Sequence, residues 1–120
     1  MTAKFKHVML MVKNVPAAVK FYSEGLGLTV KTSSPGWGEL DADGTTIALH
    51  GAENPQGGDS PILSFHVDDV YATIASLEEM GAKLEGRVRE PSFGKVAAMR
   101  TPDGHLVSLL QPAVVGATNS

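Results

Sequence analysis

Three histidines of this chain sit in short apolar stretches: His7 in His7–Val12, His50 closing Thr45–His50, and His66 in Ile62–Val67. Neutral imidazoles and carboxylates hold divalent metals, and a single imidazole or carboxylate can serve as a general acid or base. Glu39, on the stretch before Thr45–His50, supplies a carboxylate. The alternation of a strand puts Met9 and Met11 on the His7 face, as pocket wall or as core filler. Trp37 is the only tryptophan and lies between Gly36 and Gly38, as a packing residue or as a flat surface for a ligand. The opposing reading makes each histidine a strand-end residue that hydrogen-bonds a neighbour. His105 follows an Asp-Gly turn and is expected to be exposed. Arg87-Val88-Arg89-Glu90 is expected to be a solvated strand face. The chain has no nucleophile elbow, phosphate loop or catalytic triad, and without cysteine it has no thiolate ligand.

The elements that must position these residues occur twice. Val12-Lys13-Asn14-Val15 opens a helical stretch to Gly25, and Val67-Asp68-Asp69-Val70, 55 residues on, opens another to Gly81. A short apolar strand precedes each, and a hairpin with Asp-Gly at Asp43-Gly44 and Asp103-Gly104 follows each. Asn14, and Asp68 or Asp69, are the expected N-caps, with Pro16 near the first turn. Val15, Val19, Tyr22 and Leu26 form the first helical stripe, with Phe21 beside it. Val70, Ile74, Leu77 and Met80 form the second. Strands are expected at 5–12, 28–32, 37–40, 45–50, 62–67, 83–89, 95–100 and 105–111. Each unit reads strand, helix, strand, strand, strand. Module one covers about 4–50, a linker 51–60, module two about 61–112, and a fraying tail 113–120.

At 120 residues with 42% hydrophobic and 19% charged content, the chain is one domain of globular composition. A net charge of −3 offers no basic stripe for nucleic acid. No apolar run reaches the length of a membrane span, and no secretory leader stands at the start, so a cytoplasmic protein is expected.

Two stretches, His7–Val12 followed by Ala18–Gly27 with Phe21-Tyr22 and Leu26-Gly27, and Thr101-Pro102-Asp103-Gly104-His105, resemble the vicinal oxygen chelate superfamily. That superfamily contains glyoxalase I, extradiol dioxygenases, and fosfomycin- and bleomycin-resistance proteins. The resemblance implies an α+β fold of two βαβββ modules with pseudo-twofold symmetry. Their mixed sheets would curl around a shared cleft with the helices outside. It also implies a homodimer. In metal-dependent members the ligands stand on the first and last strands of each module. Carried over, those positions are His7, Ala48, Ile62 and Ser108, of which His7 alone keeps a competent ligand.

A shifted site is the alternative, with His7, His50 and His66 as ligands and Glu39 nearby. The shifts of two and four residues displace ligands by about 6.6 and 13 Å along their strands, at roughly 3.3 Å per residue. Ligands must lie within about 2.0–2.2 Å of one zinc ion. The resemblance therefore implies a small-molecule-binding protein of the glyoxalase/bleomycin-resistance type, with no cofactor expected and an organic ligand, aromatic ones included. Its cleft would be lined on one module by His7, Met9, Met11, Trp37, Glu39, Ala48 and His50. The other would contribute Ile62, Ser64, His66, Ser108 and Leu110. The alternatives are a lactoylglutathione lyase-like or dioxygenase-like enzyme using a divalent metal, a metal-free acid–base enzyme using His7 or Glu39, and a structural dimer without ligand.

Overall fold

A computed structural model of the chain describes residues 4–114. The chain forms two compact units, one up to Gln56 and one from Gly57 onward. The first contains β1 (His7–Val12), α1 (Val15–Lys20), β2 (Thr29–Ser33), β3 (Trp37–Ala42) and β4 (Thr45–Gly51). The second contains β5 (Gly58–His66), α2 (Val70–Glu79), β6 (Lys83–Arg89), β7 (Gly94–Arg100) and β8 (His105–Pro112). Both sheets are four-stranded with the same order, β1-β4-β3-β2 and β5-β8-β7-β6. The first and last strands of each unit pair in parallel, and the other neighbours are antiparallel. This is the α+β architecture of two βαβββ modules that the doubled pattern implies.

Helix placement follows from caps and stripes. The Asn14 side chain accepts a hydrogen bond from Ala17 N–H at 2.9 Å, and Asp69, rather than Asp68, accepts one from Ala72 N–H at 3.1 Å. These bonds satisfy N–H groups that the first helical turn leaves without partners. Val15, Ala18 and Val19 on α1, and Val70, Ile74 and Leu77 on α2, are buried. Each helix covers one face of its own sheet. The matching sheet residues, Leu10, Val12, Leu40, Ile47 and Leu49 in one module and Ala97, Met99, Val107 and Leu109 in the other, are also buried. The opposite face of each sheet is its open face.

Some expected boundaries move. The first helical stretch is not one regular helix to Gly25: after Lys20 it widens into a π-turn over Phe21–Gly25. Phe21 and Tyr22, adjacent in sequence, are both buried at its start. The expected linker 51–60 is shorter at both ends, because β4 runs to Gly51 and β5 starts at Gly58. Asp59 is held there by Arg100 Nη2 at 2.9 Å, and the Gly58 carbonyl accepts from Arg100 Nη1 at 2.8 Å. The remaining Arg100 donors go to the Glu85 carboxylate and the Gly104 carbonyl, so all five guanidinium N–H groups are used. Hydrogen bonds to Glu85, then to Asp59, push the guanidinium pKa further up. His105 is half-buried rather than exposed, because the turn folds back and Thr101 Oγ1 accepts His105 N–H at 3.0 Å. The expected tail lies outside the described residues from 115 onward.

Candidate functional site: two open sheet faces

On the first module β4 runs between β1 and β3. Trp37 pairs with His50 and Glu39 pairs with Ala48, while Met9 flanks Ala48 from β1. These residues share the open face. The Trp37 indole leans along its strand and donates from Nε1 to Glu39 Oε2 at 2.8 Å. Its ring stands edge-on to His7, with centroids 5.9 Å apart, and to His50 at 6.0 Å. An indole that starts on β3 and reaches His7 on β1 must cross β4. Ala48, between Met9 on β1 and Glu39 on β3, is completely buried although it lies on the open face.

Gly38, between Trp37 and Glu39 on β3, faces the helix side. A Cβ at this position would lie 2.8 Å from Val19 Cγ2 and 3.2 Å from Val15 Cγ1. Glycine lets α1 settle onto β3, while strand alternation puts Trp37 and Glu39 on the open face. His50 Nδ1 lies 2.8 Å from the Gly51 carbonyl oxygen. A carbonyl only accepts, so in the neutral ring Nδ1 carries the hydrogen and Nε2 keeps its lone pair. Met11, opposite His50 in the β1/β4 register, is partly exposed.

The second module's open face has a different surface. Ser64 pairs with Ser108, and His66 with Leu110. Val96 pairs with Leu110, and Ala98 with Ser108. A depression of about 330 Å³ is lined by Ser64, Phe65, His66, Phe93, Val96, Ser108 and Leu110. Four of these, Ser64, His66, Ser108 and Leu110, carry the sequence expectation for this module, and the fold brings them together. Ile62 lies further back on β5, opposite Leu106. Phe93 and Val96 were not legible as site residues. Val96 holds the position on β7 that Trp37 holds on β3, which only strand register reveals. Phe93 lies in the turn before β7, with no pattern to mark it.

The family model for the glyoxalase/bleomycin resistance protein/dioxygenase superfamily matches residues 4–109. The chain belongs to this superfamily. A probable lactoylglutathione lyase of Vibrio parahaemolyticus is 25% identical over 88% of both chains. A glyoxalase/bleomycin resistance protein/dioxygenase family enzyme of Burkholderia phytofirmans superposes with a TM-score of 0.78 at 19% identity, over 92% of this chain and 100% of its own. The fosfomycin resistance protein FosX of Listeria monocytogenes, solved with manganese(II) and sulfate, gives 0.75 at 18% identity, over 95% of this chain and 94% of its own. At these identities the two structures establish the shared fold.

The superfamily's metal can be tested against the residues at the corresponding positions. Alanine and isoleucine at 48 and 62 have no donor atom, and a neutral serine at 108 is a weak one. Among the described residues no group of three or more His, Cys, Asp or Glu is arranged to hold an ion. The donor set does not fit the metal.

Proposed function

We propose that this superfamily member binds a small organic molecule on the open faces of its sheets, without the metal of the metal-dependent members. The observation that carries the reading is the row His7–Trp37–His50 on the face that also carries Glu39 and Ala48. It puts aromatic surface and a hydrogen-bonded carboxylate where metal-dependent members need a ligand. Binding requires affinity alone, so losing three of four donors is tolerable. Mainly apolar walls with a few polar anchors suit an organic ligand, aromatic ones included. Phe5, Met9, Met11 and Ile62 are exposed at 75, 45, 37 and 52%. Exposed apolar side chains at Phe5, on β1 and on β5 fit a homodimer. Among the described residues no helix is long and apolar enough to cross a membrane, and we place the protein in the cytoplasm.

Elemental analysis of protein purified without chelator tests the metal-free part. Near-stoichiometric zinc, nickel, iron or manganese bound through His7 would overturn it and favour the shifted His7, His50, His66 site. Titration with an aromatic probe should change Trp37 fluorescence, and His7→Ala should weaken binding less than Met11→Glu. The Vibrio relative supports a second reading, a lactoylglutathione lyase-like enzyme. Turnover of the methylglyoxal–glutathione hemithioacetal with added nickel or zinc, abolished by His7→Ala, would establish it.

A further inference from the structure

Resting on the binding reading above, we propose that the second module's open face selects an anionic ligand: a planar apolar body carrying a carboxylate or similar group. Three observations converge on one side of one sheet. The first is the depression bounded by Phe93, Val96 and Leu110, with hydroxyls from Ser64 and Ser108 and the His66 ring. At about 330 Å³ it is the size of a one- or two-ring molecule. The second is a neighbouring depression of about 270 Å³ that shares Val96 and is edged by Arg87, Arg89 and Ala98. The two depressions adjoin along β7.

The third observation is the bulge that puts the arginines there. β6 pairs regularly with β7 up to Glu85–Ala98, slips, and resumes at Arg89–Val96. Four residues on β6 therefore span two on β7. Gly86 takes φ +77° within that slip, in the left-handed region that glycine adopts without strain. Val88 is half-buried, while Arg87 and Arg89 on either side of it are exposed. Bulges of this kind re-aim side chains. Nearby carboxylates do not neutralise these two cations. Glu85, which also edges the second depression, is committed to Arg100, as is Asp59, and Glu90 accepts from the Tyr71 hydroxyl at 3.0 Å. Arg87 and Arg89 make no ion pair among the described residues. A guanidinium without a partner beside an apolar, hydroxyl-lined hollow suits an organic anion, because its planar fork matches a carboxylate.

The test uses calorimetric titration of the whole protein with 2-naphthoate and with 2-naphthamide, which has the same shape and no charge. The acid is expected to bind at least about tenfold more tightly, as a charge-assisted pair provides. Arg87→Gln with Arg89→Gln should remove that preference while leaving the amide's affinity unchanged, and raised salt should act in the same direction. Phe93→Ala should weaken both probes. Because both arginines are exposed, unchanged circular dichroism and melting are expected for the double variant. Equal affinity for acid and amide, or a preference that survives the double variant, overturns the anion inference and leaves the binding reading standing. Binding insensitive to Phe93→Ala also overturns it, because the ligand then lies elsewhere. If neither probe binds, this inference and the binding reading fall together.

Discussion

The two modules share a backbone plan yet treat their open faces in opposite ways. Strand register aligns Trp37 with Val96, Glu39 with Ala98, Ala48 with Ser108 and His50 with Leu110. The first face is built up. Its largest residue is laid across the sheet, held by Glu39 and braced by two imidazoles. The second face is hollowed, because valine and alanine on β7 leave open the volume that an indole and a carboxylate occupy on β3. The helix-side faces stay alike, since each must seal a core, and apolar burial dominates the stability of a module this small. The open face carries no such obligation. Side-chain size on the two middle strands therefore decides whether a module presents an aromatic surface or a pocket.

The largest break in that comparison should come from Trp37→Ala. Removing the indole leaves Glu39 without its donor and His7 and His50 without their ring partner, and about 3 kcal/mol of unfolding free energy should be lost, the low end for a large aromatic because Trp37 is only half-buried. Val96→Ala, at the matching position, should cost only about 1 kcal/mol, because it enlarges an existing hollow. Chemical denaturation of both variants checks the ratio. Equal losses would mean that the indole is not the structural keystone of its face.

A smaller effect separates the helix sides. Gly38 and Ala97 hold matching positions, and the Cβ that β7 tolerates would, on β3, collide with Val19 of α1. Gly38→Ala should cost about 2 kcal/mol through overpacking. The reverse exchange, Ala97→Gly, should cost about 1 kcal/mol through chain entropy and a lost methyl. Denaturation midpoints at unchanged m-value would test it. A neutral Gly38→Ala would show that α1 can back away from the sheet.

Much of this architecture was legible because it rests on local rules. Asn14 and Asp69 cap where short polar side chains ahead of an apolar stripe should, and the 55-residue offset places Val12 and Val67 at the same point of each module. The superfamily followed from the same residues. The π-turn was not legible, because Phe21 and Tyr22 fit either a regular helix with one residue off the stripe or a widened turn, and only packing chooses. The early start of β5 was hidden by its Gly-Gly-Asp composition, which reads as linker until Arg100, about forty residues later, ties Gly58 and Asp59 to the sheet. His7, Trp37, Glu39 and His50 could be named from strand alternation. The indole's bond to Glu39 and its edge contacts with His7 and His50 could not, because they depend on a rotamer. Arg87 and Arg89 read as an ordinary solvated face, since the bulge at Gly86 appears only in the pairing register.

The finest distinction lies on the helix sides and is a matter of pH. Tyr71 on α2 donates its hydroxyl hydrogen to Glu90 at 3.0 Å, and Lys95 Nζ stands 5.4 Å over its ring. The matching position on α1 is Pro16, which can make no such tie. The hydrogen bond to Glu90, then desolvation, then the carboxylate's charge, raise the Tyr71 pKa above its ordinary value of 10.0. The raised value belongs to the folded state. The tie therefore stabilises the fold fully below the unfolded tyrosine's pKa and is lost as pH rises through the higher folded value. Ultraviolet titration should show Tyr71 ionising above the ordinary range. Glu90→Gln should bring that part of the transition back toward the ordinary range, and Tyr71→Phe should remove it. A titration curve unchanged in Glu90→Gln would show that the hydrogen bond to Glu90 does not hold the Tyr71 proton.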